Sequence, residues 1–193
     1  MSFNLDTFIA ECIAVSTETD ASKQIADLIS QAVADPEALY AEIGRPESAK
    51  IERLYVSDTL TVLNVVWAPK MTLLPHNHNM WAVIGVYSGR EDNILWRRLS
   101  GDAQNQIEAA GAKTLGVGDV QQLGKNIIHS VTNPTTEFTG AIHIYGGNFF
   151  ENERSEWDPQ TLKEQPYDVP RNLKSFEVEN SVAKLREELK SNS

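Results

Sequence analysis

The sequence predicts a mainly-β domain, an antiparallel sandwich or barrel with helices at its two ends. Between Lys50 and Phe150 it runs in short segments rich in Val, Ile, Thr, Trp and Tyr, separated by Gly, Asn, Asp and Pro. No helical period interrupts those segments, so they do not read as the alternating strands and helices of a parallel sheet. Helical periodicity is confined to the stretch before Gly44 and to the residues from Val178 onward.

Apolar residues at Leu5, Phe8, Ile9, Cys12 and Ile13 fall at i, i+3, i+4, i+7 and i+8, as do Ile25, Leu28, Ile29, Ala32 and Val33. Each set predicts an amphipathic helix. Asp35-Pro36-Glu37 reads as an N-cap, a proline at the first helical position and an acid in the first turn, opening a third helix through Tyr40 to Ile43. Gly44-Arg45-Pro46 ends it. Strands are predicted over 60–68, 80–87, 94–99, 113–115, 119–123, 128–132 and 138–145. From Glu151 the chain is polar and loop-like until Val178, Val182, Leu185 and Leu189 mark a terminal helix. The whole reads as one domain: helices over 1–46, a β core over 47–150, and an extension with a helix over 151–193.

The formal charge of −10, with no run of basic residues, argues against nucleic acid as a partner. No stretch approaches the roughly 18 apolar residues that span a bilayer, and the first residues carry Asp6 and Glu11 with no basic leader, so neither membrane nor export is expected. The single cysteine, Cys12, can form neither an internal disulfide nor a thiolate cage, which fits a cytoplasmic protein whose metal, if any, is held by His, Asp or Glu. Composition leaves monomer and homodimer equally open.

All four histidines, His76, His78, His129 and His143, lie in the strand-rich half. His76 and His78 are two apart, so in an extended segment both imidazoles point to one face and can share a metal. The alternative for such a pair is two core or surface histidines held by hydrogen bonds. Ala141, His143 and Tyr145 likewise share one face of a strand.

The spacing around these histidines resembles the cupin superfamily. Its first motif reads Gly, five residues, His-x-His, three or four residues, Glu, six residues, Gly. Here His76-Asn77-His78 leads after three residues to Ala82 and after six more to Gly89, with alanine at the glutamate position and Lys70 in place of the opening glycine. The second motif is matched by Gly118, His129 and Asn133, with Gly124 and Asn126 where Pro and Gly are usual. The resemblance implies a cupin double-stranded β-helix, a jelly-roll barrel, with His76, His78 and His129 as metal ligands.

A cupin with three histidines and no glutamate is similar to the thiol dioxygenases, the cysteine dioxygenase type among them. Ala141-Ile142-His143-Ile144-Tyr145 resembles that family's Ser-x-His-x-Tyr strand, whose hydrogen-bonded relay brings the phenol beside the substrate; His143 and Tyr145 match, and Ala141 stands where serine is usual. Trp67 resembles a tryptophan of the strand leading into the His-x-His turn. The resemblance covers roughly residues 60–150. It implies Fe(II), O2 and a small anionic thiol such as cysteine or a mercapto-carboxylate, oxidised to a sulfinate, with His143 and Tyr145 as catalytic residues. Physically, three neutral imidazoles leave a divalent ion's charge uncompensated, which favours an anionic ligand. The carboxylate anchor is left among Lys50, Arg53, Arg97 and Arg98. Some cysteine dioxygenases cross-link the tyrosine to a cysteine at the glutamate position, a bond Ala82 cannot form. The competing reading is a cupin that uses Zn, Mn or Ni as a hydrolase, an isomerase or a small-molecule binding protein.

Overall fold

The computed structural model of the chain describes residues 3–101 and 105–191. Three helices open it: α1 (Leu5–Val15), α2 (Ala21–Val33) and α3 (Pro36–Ile43). Asn4 caps α1 by accepting the Thr7 N–H at 2.9 Å, and Asp35 caps α3 by accepting that of Ala38 at 3.2 Å. Strands β1 (Lys50–Val56), β2 (Thr61–Trp67), β3 (Thr72–Asn77), β4 (Ala82–Ser88), β5 (Arg90–Arg98), β6 (Ile107–Gly116), β7 (Val120–Leu123), β8 (Ile128–Thr132) and β9 (Thr139–Tyr145) follow. The short pair β10 (Ser155–Trp157) and β11 (Glu164–Pro166) precedes the last helix, α4 (Val169–Ser191).

The strands form two sheets, ordered β1-β2-β9-β4-β7 and β11-β10-β3-β8-β5-β6, with antiparallel pairing throughout. Strands β2 to β9 alternate between the sheets, giving 2-9-4-7 against 3-8-5-6. That order is the double Greek key of a jelly roll. The fold is the cupin double-stranded β-helix, extended by β1 on one sheet and by β10 and β11 on the other.

The five-stranded sheet is buried on both faces. Leu63, Val65, Ala82, Ile84, Ala141 and Tyr145 point into the barrel, while Val62, Val83, Ile142 and Ile144 alternate outward against α1 and α2. Gly85 is what lets α2 lie so close: a Cβ there would stand 2.1 Å from Ile29 Cγ2. On the far side, α4 places Phe176 against Trp67 with ring centroids 5.4 Å apart, and Asn180 binds both the N–H and the carbonyl of Ala49.

The structure departs from the sequence-based expectation where pairing replaces patterning. Strand β5 begins at Arg90, four residues before Ile94, because Glu91 and Asn93 are polar residues turned inward. Strand β6 runs over ten residues, most of them exposed, held by its ladder to β5. Strands β1, β3, β10 and β11 carry too little alternation to be read as strands, and β3 contains Pro75. Helix α4 starts nine residues before Val178 and is anchored by Asn172, Phe176 and Ala183; Leu185 and Leu189 are 58% and 70% exposed. No helix among the described residues is long and apolar enough to cross a membrane.

The contact of α2 with β4 gives a direct test. Ile29 is fully buried, so Ile29→Ala is expected to destabilise the fold by about 2–5 kcal/mol, and Gly85→Ala by about 1–3 kcal/mol through overpacking. In urea unfolding the double variant should lose clearly less than the sum, because the smaller side chain vacates the space the new methyl needs.

Candidate metal centre

Strands β3 and β8 set His76 directly opposite His129. The ladder slips between Leu73 and His76, where Pro75 has no N–H to contribute, and the freed Leu74 carbonyl lies 2.9 Å from His76 Nδ1. His78 follows immediately after β3, before a turn in which Asn79 takes φ +55°. The C-terminal extension holds this turn: Asn152 donates to the His78 carbonyl (2.7 Å), Asn79 donates to that of Glu153 (2.9 Å), and the Ser155 N–H donates to Asn77 Oδ1 (2.8 Å).

The three imidazoles converge on their Nε2 atoms. His78 Nε2 lies 3.1 Å from His76 Nε2 and 3.2 Å from His129 Nε2, and all three rings are buried. Because Leu74 O and Asn93 Oδ1 face the Nδ1 atoms of His76 and His129, those rings carry their protons there and turn lone pairs on Nε2 toward His78. Two nitrogens about 2.1 Å from one ion, at angles between octahedral and tetrahedral, are about 3.0–3.4 Å apart. Neutral nitrogen donors at that spacing fit a divalent transition metal, and among the described residues no carboxylate joins the cluster. Burial holds His76 down to about 4 and, with mutual repulsion among the rings, keeps His78 and His129 well below the ordinary 6.5. The imidazoles are therefore neutral and ligand-competent near pH 7.

His143 and Tyr145 come from β9, across the barrel. The Tyr145 hydroxyl is 3.1 Å from His143 Nδ1, and its ring centroid is 5.0 Å from that of His78. Burial pushes the phenol well above its usual range, so it is protonated at neutral pH. Ala82 pairs with Tyr145 across β4 and β9, which places a methyl group where a cross-linking thiol would have to be. The only cysteine, Cys12, is buried in α1 with its thiol pushed up to about 12 by burial, and takes no part.

Behind His143 stands Glu91, fully buried on β5. It accepts from Trp67 Nε1 (2.9 Å) and Asn93 Nδ2 (3.0 Å), and its Oε2 is 3.4 Å from His143 Nε2, a long contact with no good hydrogen-bond alignment. Burial raises this carboxyl, yet the nearby His143 ring and the Asn93 and Trp67 donors hold it below the ordinary carboxylate range. The unbroken polar run Arg90-Glu91-Asp92-Asn93 gave no sign of this role. The signal was the inward parity of Glu91 and Asn93 with the barrel-facing positions of β5.

The histidines border a chamber of about 20 Å³, lined also by Leu63, Trp67, Leu73, Phe149 and Tyr167. That volume holds about one water-sized group. None of the four basic residues expected as anchors reaches it. Lys50 pairs with Glu52, Arg53 stacks on Phe150, Arg97 pairs with Glu108 and Arg98 with Glu164. Arg154, not singled out from sequence, lies one layer out, behind two residues that line the chamber: its guanidinium is 4.0 Å from the Phe149 ring and 4.2 Å from that of Tyr167, it donates to the Phe149 carbonyl, and its buried Nε has no hydrogen-bond partner. Tyr167 also lines a wide outer pocket of about 1070 Å³ that contains Arg154, so these two residues separate the chamber from solvent.

Metal per chain should fall sharply in His76→Ala, His78→Ala and His129→Ala and stay near wild type in His143→Ala. Elemental analysis of the purified variants checks this, and full occupancy in the first three would displace the centre.

No protein-family model matches the chain. Among solved structures, it is similar to an RmlC-like cupin family protein with a double-stranded β-helix fold from Methanocaldococcus jannaschii, at 10% identity and a TM-score of 0.44 over 54% of this chain and 85% of that one. Oxalate decarboxylase from Bacillus subtilis matches at 17% identity and a TM-score of 0.41, over 52% of this chain but only 24% of the enzyme. A conserved double-stranded β-helix protein from Klebsiella pneumoniae matches at 11% identity and a TM-score of 0.41, over 64% and 88% of the two chains. The strand order described above, rather than likenesses of this size, establishes the fold as that of a cupin, and the three converging histidines mark its candidate metal centre.

Proposed function

We propose that this protein is a mononuclear non-haem iron dioxygenase that oxidises a small anionic thiol to its sulfinate, RSH + O2 → RSO2H, both oxygen atoms ending on sulfur. The observation that carries the reading is a cluster of three neutral imidazoles with no carboxylate, faced across the barrel by the His143–Tyr145 pair. A divalent iron held by His76, His78 and His129 would supply the site where thiolate and O2 meet and the electrons that activate the latter.

The chain's own residues supply position, charge and dryness. Three imidazoles leave the ion's positive charge to be balanced by ligands, and in a barrel of low effective dielectric this selects a thiolate, alone or with a carboxylate. Arg154 adds a second positive charge behind the Phe149 and Tyr167 walls, beside the outer pocket, and its unpartnered Nε–H is the donor left for a carboxylate. Its stacking on Phe149 and Tyr167 holds the guanidinium plane in place. Tyr145, kept protonated, packs its ring edge-on to His78 and exchanges its hydroxyl proton with His143. Leu63, Leu73, Trp67 and Phe149 exclude water from the reacting atoms. The overall charge of −10 opposes an anionic substrate only at long range, since salt screens it within roughly 8 Å.

Oxygen uptake by iron-loaded protein is expected with cysteine, 3-mercaptopropionate or mercaptosuccinate, one O2 per sulfur, and not with S-methylcysteine. Arg154→Met should raise KM about tenfold to a hundredfold for carboxylated thiols and leave cysteamine largely unaffected, the scale of one hydrogen bond to a charged group. No uptake with any thiol, alongside turnover of a sulfur-free acid, would refute the assignment while sparing the metal centre.

Tyr145→Phe should lower turnover by roughly tenfold to a thousandfold with metal content unchanged. An unchanged rate would remove the phenol from the reaction.

A further inference from the structure

One buried carboxylate connects the two sides of the centre. Glu91 Oε1 accepts from Asn93 Nδ2, and Asn93 Oδ1 in turn faces His129 Nδ1 at 2.7 Å; Glu91 Oε2 faces His143 Nε2, whose Nδ1 faces the Tyr145 hydroxyl. We propose that ionised Glu91 is the positioning residue of this site, fixing the tautomers of both His129 and His143 and with them the lone pair offered to the metal and the direction of the Tyr145 O–H.

The argument follows from what each group can do. An ionised carboxylate only accepts hydrogen bonds, and Trp67 Nε1–H, which only donates, already marks Oε2 as an acceptor. Asn93 must therefore turn its NH2 to Oε1, which leaves its oxygen toward His129. That oxygen requires the His129 proton on Nδ1 and frees Nε2 to face His78 and the metal. On the other side, an Nε2 lone pair of His143 would be repelled by the carboxylate, and Glu91 is the one carboxylate within ion-pair range of that nitrogen among the described residues. The proton belongs on Nε2, and the Nδ1 lone pair then accepts from Tyr145. The phenol's proton points back to His143 and its oxygen lone pairs face the chamber. Ala141, which pairs with Val86 and Val65 on the neighbouring strands, has no polar atom to do this from β9. The relay is closed from β5 instead, about fifty residues earlier in the chain, by a charged acceptor in place of a hydroxyl.

The inference rests on the metal-centre reading, and its test needs no turnover, so it stands or falls apart from the thiol assignment. Nitrogen-15 NMR of the histidine rings in zinc-loaded wild-type protein should show His129 protonated at Nδ1 and His143 at Nε2. In Glu91→Gln the amide must present its NH2 to at least one of the donors that Glu91 accepted, so at least one of the two rings should change tautomer. Asn93→Ala cuts only one arm: zinc affinity should fall about tenfold to a hundredfold while the His143 tautomer is kept. A proton on His143 Nδ1 in the wild type, or unchanged tautomers of both rings in folded Glu91→Gln, overturns the proposal. Should the protein bind no zinc, the metal centre fails, and the His143 ring of the metal-free protein still decides the Glu91 arm.

Discussion

A small jelly-roll barrel encloses too little volume to hydrate polar side chains, so each polar group inside it needs a partner from the chain or from a ligand. Leaving a buried donor or acceptor unpaired costs about 1–3 kcal/mol, and an unpaired charge more. This requirement organises the interior. His76, His129, Asn93, Glu91 and Trp67 form a connected set in which most donors meet acceptors. Among the described residues three buried side-chain atoms lack a hydrogen-bond partner: Gln121 Oε1, His143 Nε2 and Arg154 Nε. His143 lines the histidine chamber and Arg154 packs on its Phe149 and Tyr167 walls, and the converging Nε2 lone pairs of His76 and His129 are left for a cation.

The two sheets divide the work. The six-stranded sheet carries His76, His129, Glu91 and Asn93, so it holds two of the three candidate metal ligands and the buried carboxylate behind them. The five-stranded sheet carries Trp67, His143 and Tyr145, which bring proton-handling groups to the opposite wall. The site exists only where the sheets face each other. Helices α1 to α3 back one sheet and stiffen it through the close approach at Gly85. The extension after β9 does the remaining task, pinning the His78 turn through Asn152 and supplying Arg154 and Tyr167 between chamber and solvent.

Charge is arranged on two scales. The formal charge is −10, yet the polar residues lining the chamber include neutral imidazoles and a protonated phenol, with the Arg154 guanidinium and the Glu91 carboxylate a layer further out. Local fields in a low-dielectric interior outweigh a screened net charge, so the potential in the chamber is set by these few groups.

That His76 goes with His78, and His143 with Tyr145, was legible in the sequence from local geometry, whereas His129 was reached only through the spacing that resembles the second cupin motif. A two-residue interval puts His76 with His78, and His143 with Tyr145, on one side of an extended chain whatever the tertiary setting. The helices were legible from their 3.6-residue period, and the barrel from its succession of short, β-rich segments. Glu91 and Arg154 were not legible, because a lone acid in Arg90-Glu91-Asp92 and a lone base in Glu153-Arg154 look like solvated surface until pairing fixes which way they point. Strand β5 turned Glu91 inward and sent Arg97 to Glu108 and Arg98 to Glu164, and the return of the chain after β9 laid Arg154 over Phe149. The sequence by itself determined which side chains can share a face. Only the tertiary structure decided which faces meet, because contacts between residues fifty or more positions apart depend on sheet order and burial, and no local period encodes those.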